Sequence, residues 1–142
     1  MAEAFKFELV SPARLILSEE VEEVVVPGAE GYFTVLKGHA PFLSTIRPGV
    51  LAFTGKDGKV ARLFIAGGFA DVSPTGLTVL AEQAIPVEEF GTDVIARQVA
   101  DAEAGVKAAR SDEAKRIAQE KLDQLKEAVV EIGLVSGSGS TH

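Results

Sequence analysis

The chain has 142 residues, 46% of them apolar, a formal charge of -7 and no cysteine. That apolar share is ordinary for a globular protein and enough for a core, so no disulfide or metal staple is required. The acidic balance excludes a binder of nucleic-acid backbone, which needs clustered Lys and Arg, and the missing cysteines exclude disulfides, thiol catalysis and thiolate zinc sites.

The segment Met1-Ala2-Glu3-Ala4-Phe5 lacks a basic region followed by an apolar run, so it is not read as a secretion signal. From there to Pro86 the pattern has period two. Phe5, Phe7 and Leu9 alternate with Lys6 and Glu8. Short β-rich runs follow at Leu15 and Leu17, 24–26, 32–36, 42–46, 50–53, 60–66, 69–72 and 77–80. Turn residues separate them: Ser11-Pro12, Pro27-Gly28, Lys37-Gly38, Pro48-Gly49, Asp57-Gly58, Gly67-Gly68 and Ser73-Pro74-Thr75-Gly76. The spacing predicts an N-terminal antiparallel β-sandwich of about ten short strands over residues 1–86. Lys56-Asp57-Gly58-Lys59 is the clearest hairpin, because Asp-Gly suits a turn that needs positive φ. Gly67-Gly68 is expected where two backbones approach or the sandwich turns a corner.

Beyond Pro86 the period becomes helical. Ile95, Val99, Ala102, Val106 and Ala109 form one apolar stripe, and Ala118, Leu122, Leu125, Val129 and Ile132 form a second. The two predict an antiparallel helical hairpin over 87–134. Thr92 and Ser111 are the expected N-caps, with Asp93, Asp112 and Glu113 in the first turns. Gly133 is the expected C-cap, and 135–142, with Ser136-Gly137-Ser138-Gly139-Ser140, reads as a flexible tail. The first stripe is mostly alanine and valine. Burial is worth on the order of 0.8 kcal/mol per CH₂, so that face gains little by docking.

A search for chemistry finds no catalytic, metal or cofactor constellation. His39 and His142 are the two histidines, and one internal His builds no His-rich metal site. His39 near Ser44 shows no sign of an oriented triad. Glu19, Glu20, Glu22 and Glu23 lack the spacing and central Gly of a calcium loop and read as charge guarding a strand edge. Neither Gly28-Ala29-Glu30-Gly31 nor Gly67-Gly68 leads into Gly-Lys-Ser/Thr and a helix, so neither is a phosphate loop. No apolar run reaches the roughly 18 residues of a spanning helix. Direct insertion into lipid is not expected, and any membrane association comes through a protein partner.

Five motifs in order carry a resemblance. They are Val26-Pro27-Gly28-Ala29-Glu30-Gly31, Gly38-His39-Ala40-Pro41-Phe42-Leu43, Pro48-Gly49-Val50, Ala66-Gly67-Gly68-Phe69-Ala70-Asp71-Val72, and Thr78-Val79-Leu80-Ala81-Glu82-Gln83-Ala84. Together the chain resembles the epsilon subunit of bacterial F-type ATP synthase, of the alphaproteobacterial type that looks like mitochondrial delta. The resemblance implies a non-catalytic central-stalk subunit that couples c-ring rotation through gamma to ATP synthesis, peripheral on the cytoplasmic face of the inner membrane. It implies no cofactor, and gamma and the c-ring as partners. Ala29, Glu30, Gly31 and Tyr32 match the family's ring-facing loop, and His39 and Pro41 match the loop region near gamma and the ring.

The alternative it leaves is a nucleotide-sensing module whose hairpin inhibits ATP hydrolysis through the alpha and beta catalytic subunits. Thr92-Asp93-Val94-Ile95-Ala96-Arg97 departs from the family's ATP-binding segment by placing its arginine one residue late. Tyr32 stands where many members have an acid, and Lys37 where many have proline.

Overall fold

The computed structural model describes residues 3–140; His142 and the start of the N-terminal segment lie outside the described residues. Nine strands come first: β1 (Phe5–Val10), β2 (Leu15–Gly28), β3 (Gly31–Val35), β4 (Phe42–Ile46), β5 (Gly49–Gly55), β6 (Val60–Ile65), β7 (Gly68–Ser73), β8 (Gly76–Ala81) and β9 (Ala84–Pro86). A 3₁₀ turn at Val87–Glu89 leads into α1 (Thr92–Ala108) and α2 (Asp112–Ser140). The architecture is a β-sandwich followed by two antiparallel helices.

β2 organises the sandwich. It pairs with β1, β3, β4 and β5 along its length, so both layers share it. β1 bonds to β2 on one side and to β8 on the other, which closes the path β1-β8-β7-β4-β2 into a ring. β5, β6 and β9 extend from β2 as a second layer. The β1–β8 pairing is parallel, an exception to the antiparallel expectation. Parallel neighbours need a long crossover, and here most of the sandwich lies between the two strands.

Two expectations change at β2. The runs at Leu15–Leu17 and Val24–Val26 are one strand of 14 residues, and the short β9 corresponds to none of the runs read from the sequence, so the described residues hold nine strands. The acids Glu19 to Glu23 guard no edge. Glu19 and Glu20 face Phe7 and Lys6 of β1, and Glu23 faces Thr54 of β5. A register shift between Val21 and Glu23 lets Val21 and Val24 both reach the core despite their odd spacing.

The Asp57-Gly58 turn forms as expected. Gly58 has φ +81, and the Lys59 N–H donates to Asp57 Oδ1 at 3.0 Å. Gly68 makes the expected close approach at φ +146. A Cβ there would overlap the Leu80 carbonyl oxygen at 1.9 Å.

The core has two parts. The larger lies inside the sandwich around Phe5, Phe7, Leu9, Val21, Val24, Leu51 and Val79. The smaller joins the outer face of β5 and β6 to the helices: Val50 and Phe64 meet Val87, Phe90, Leu125, Ala128 and Ile132. The hairpin therefore lies folded on the sandwich. As the weak first stripe anticipates, α1 has no buried residue, and α2 supplies the docking face.

Helix ends depart from the sequence reading in two places. Gly91, not Thr92, is the α1 N-cap, and no side chain caps it. Ser111 does cap α2, accepting the Ala114 N–H on its hydroxyl at 3.0 Å. Gly133 is not a C-cap, because α2 continues through it to Ser140. A glycine inside an established helix costs about 1 kcal/mol against alanine, which does not by itself stop propagation.

Candidate functional site

The candidate contact residues fall at two ends of the sandwich. Ala29 and Glu30 form the tip of the tight β2–β3 hairpin, between the paired residues Gly28 and Gly31. Both are exposed. The tip is held to the end of β4: the Ala29 N–H donates to the Thr45 carbonyl, and the Arg47 N–H to the Pro27 carbonyl, each at 3.0 Å. His39 and Pro41 belong to the loop that enters the other end of β4. There the Gly38 N–H donates to the Pro74 carbonyl at 3.0 Å, next to the β7–β8 turn. At about 3.3 Å per residue, the five residues of β4 separate the two loops by roughly 16 Å. They are separate surfaces, although they are close in sequence.

His39 and Ser44 each bond to neighbouring backbone. The His39 Nδ1–H donates to the Ala40 carbonyl at 2.8 Å, and the Ser44 hydroxyl donates to the Thr45 carbonyl at 2.8 Å. The described residues hold no cluster of three His, Cys, Asp or Glu suited to a metal ion. None of their helices is long and apolar enough to cross a membrane.

Tyr32 does not sit as a free tip residue. Its hydroxyl donates to Glu131 Oε1 on α2 at 2.6 Å. The Tyr32 hydroxyl oxygen in turn accepts the Val50 N–H at 3.1 Å. The Arg47 guanidinium lies 5.7 Å from the ring centroid and pairs with Glu127 Oε2 at 3.7 Å. Partial burial first, and the Glu131 bond second, push the Tyr32 phenol up from 10.0 to about 12. Gly49 makes room for this arrangement, since a Cβ there would meet Pro27 Cβ at 2.7 Å and the Tyr32 hydroxyl at 3.1 Å.

A further surface escaped the sequence reading. On the outer face of β4, β7 and β8, Leu43, Phe69 and Leu80 are 70%, 51% and 43% exposed. Phe69 is directly opposite Leu80, and Leu43 lies two residues from Thr45, the other neighbour of Phe69. Direct and diagonal cross-strand neighbours are within side-chain reach, so the three make one apolar row. The signal was available: β4 reads Phe42-Leu43, apolar on consecutive positions and hence on both faces.

The family model for the β-sandwich domain of the ATP synthase delta/epsilon chain matches residues 4–87. The chain belongs to the ATP synthase epsilon-chain family. It is 48% identical over 125 residues to the epsilon chain of Mesorhizobium japonicum, covering 88% of this chain and 93% of that one. It is 44% identical to the epsilon chain of Rhizobium rhizogenes, covering 97% of each. Among solved structures, a chain of the Euglena gracilis mitochondrial ATP synthase OSCP/F1/c-ring assembly matches at TM-score 0.68 and 26% identity, covering 91% of this chain and 82% of that one. A chain of the Tetrahymena thermophila mitochondrial central stalk/c-ring matches at TM-score 0.65 and 11% identity over 87% and 95%, a likeness of fold. Family membership makes the chain a subunit of a rotary ATP synthase, with alphaproteobacterial relatives. It is a subunit other than the catalytic one.

Proposed function

We propose that this subunit is a non-catalytic part of the central stalk that turns with the rotor and passes proton-driven rotation from the c-ring through gamma to the catalytic head. The observation that carries the reading is the apolar row Leu43, Phe69 and Leu80. Isolated exposed apolar residues need no explanation, but a contiguous patch marks a protein interface. We assign gamma to this face and to the adjoining His39–Pro41 loop. The polar loops of the c-ring are assigned to the opposite tip, Ala29, Glu30 and Gly31. The complex then holds the subunit peripherally at the cytoplasmic face of the inner membrane.

Cysteines placed at Glu30 and His39 of this cysteine-free chain test the assignment by cross-linking in the assembled synthase. Products with the c subunit from position 30 and with gamma from position 39 are expected. Products with neither overturn it.

The regulatory reading ranks second. The groove between sandwich and hairpin presents Glu82 and Asp101 against Lys121, beside Pro48, Phe64 and Gln98. Two carboxylates against one lysine disfavour a triphosphate. Calorimetry of the chain with ATP separates the readings, and micromolar binding would reverse their order. In the hairpin, Arg97, Lys107, Arg110, Lys115, Arg116, Lys121 and Lys126 are outnumbered by acids. A net acidic arm meets acidic segments of alpha and beta poorly. Ending the chain at Val87 is expected to leave ATP hydrolysis by the complex nearly unchanged; a several-fold rise would show inhibition.

A further inference from the structure

Two polar contacts bind α2 to the sandwich beside the ring-facing tip. Tyr32 reaches Glu131, and Arg47 reaches Glu127. The acids are four residues apart, so they stand one helical turn apart on one face. Both sandwich partners are tied to the tip. Tyr32 is opposite Pro27 in the β2–β3 ladder and one residue beyond Gly31, and the Arg47 N–H donates to the Pro27 carbonyl. Gly31 has φ +132 and no atom within 4 Å of where its Cβ would stand, so the tip itself is free of side-chain packing at that point.

We propose that Tyr32 and Arg47 form a two-point clasp on Glu131 and Glu127 that makes docking of α2 depend on the position of the Ala29–Glu30 tip. A hydrogen bond is directional and short-ranged. The Tyr32 hydroxyl is held by the Val50 N–H on one side and the Glu131 carboxylate on the other. A shift of β3 that follows the tip moves the hydroxyl off one of them. The apolar contact of Leu125, Ala128 and Ile132 tolerates sliding better, because it is non-directional. Tip displacement thus loosens the hairpin through the clasp first. The clasp goes beyond the rotor reading and stands whichever partner meets the tip.

Hydrogen exchange on the full chain, without partners, tests it. Tyr32→Phe removes the donor of the first contact and Glu131→Ala its acceptor. Each is expected to speed exchange of the α2 amides around Leu122–Ile132 by roughly tenfold, the scale of one lost charge-assisted bond. Amides of β1 and β8 should keep their wild-type rates, which separates undocking from unfolding. The double variant should be no faster than either single one. Two glycines inserted between Ala29 and Glu30 should also speed α2 exchange in the wild type, and add little in Tyr32→Phe. Glu131→Ala leaves the sandwich sequence intact, so the test survives any folding defect of the sandwich variants. Unchanged α2 exchange in Glu131→Ala, or insertion and Tyr32→Phe effects that simply multiply, would overturn the proposal.

Discussion

The Tyr32 hydroxyl donates a 2.6 Å hydrogen bond to Glu131, 99 positions later in the chain. This contact and the adjacent Arg47–Glu127 pair give polar specificity to an interface whose area is apolar. The apolar part sets how strongly α2 docks, and the polar part sets its register.

Tyr32 is the single tyrosine and there is no tryptophan, so ultraviolet titration reads it alone. Its phenol is held up to about 12, by burial first and the Glu131 bond second. Glu131→Gln should bring the midpoint down, because it removes the carboxylate charge that helps hold the proton on the phenol. The folded state holds this proton more tightly than the unfolded one. The stabilisation is therefore complete below pH 10.0 and is lost as pH rises through about 12. Relative to wild type, Tyr32→Phe should lack that alkaline loss.

Leu125 is 5% exposed at the centre of the cluster between α2 and the sheet. Leu125→Ala should weaken docking by about 2–5 kcal/mol, the range for a buried leucine truncation. Exchange protection should fall along α2 while β1 and β8 keep theirs. Equal loss in both regions would mean that sandwich and hairpin unfold as one unit.

The two helix starts should respond differently to alanine. Ser111 caps α2 through its hydroxyl, so Ser111→Ala should cost about 1 kcal/mol. Thr92 is the first residue of α1 and not its cap, so Thr92→Ala should be close to neutral. Helicity and denaturant midpoints measured side by side check the contrast.

Phe69 is half exposed on the outer face, so Phe69→Asp should leave the isolated fold intact at a cost of roughly 1–2 kcal/mol in strand preference and cross-strand contact. If gamma covers the apolar row, the same change places an unpaired charge in that interface. Binding should then weaken by more than tenfold, an effect of about 2 kcal/mol or more. A titration of the variant against isolated gamma measures it. Unaltered affinity would remove gamma from this face.

Much of the fold is legible locally. The alternation Phe5, Phe7, Leu9 marks the buried face of β1, and Asp57-Gly58 marks its hairpin through positive φ. The two stripes beyond Pro86 mark α1 and α2, and Ser111 marks where the second begins. These are statements about neighbours within a few residues, where side-chain period and backbone preference act directly. Where competing local preferences are nearly balanced, the reading slips. Gly91 took the cap expected of Thr92, and α2 ran through Gly133.

What the chain alone determined is which segments are strands, which are helices, and which face of each is apolar. Five ordered motifs also carried its family resemblance. Tertiary structure decided what those faces meet. It joined β1 to β8 in parallel and carried Glu19 to Glu23 into a shared inner strand. It also set the Ala29–Glu30 tip and the His39–Pro41 loop at opposite ends of β4, and turned Tyr32 toward α2. None of these follows from spacing, because each depends on which distant backbone the sheet brings alongside. For Tyr32 the consequence is largest: its hydroxyl holds the subunit's own hairpin.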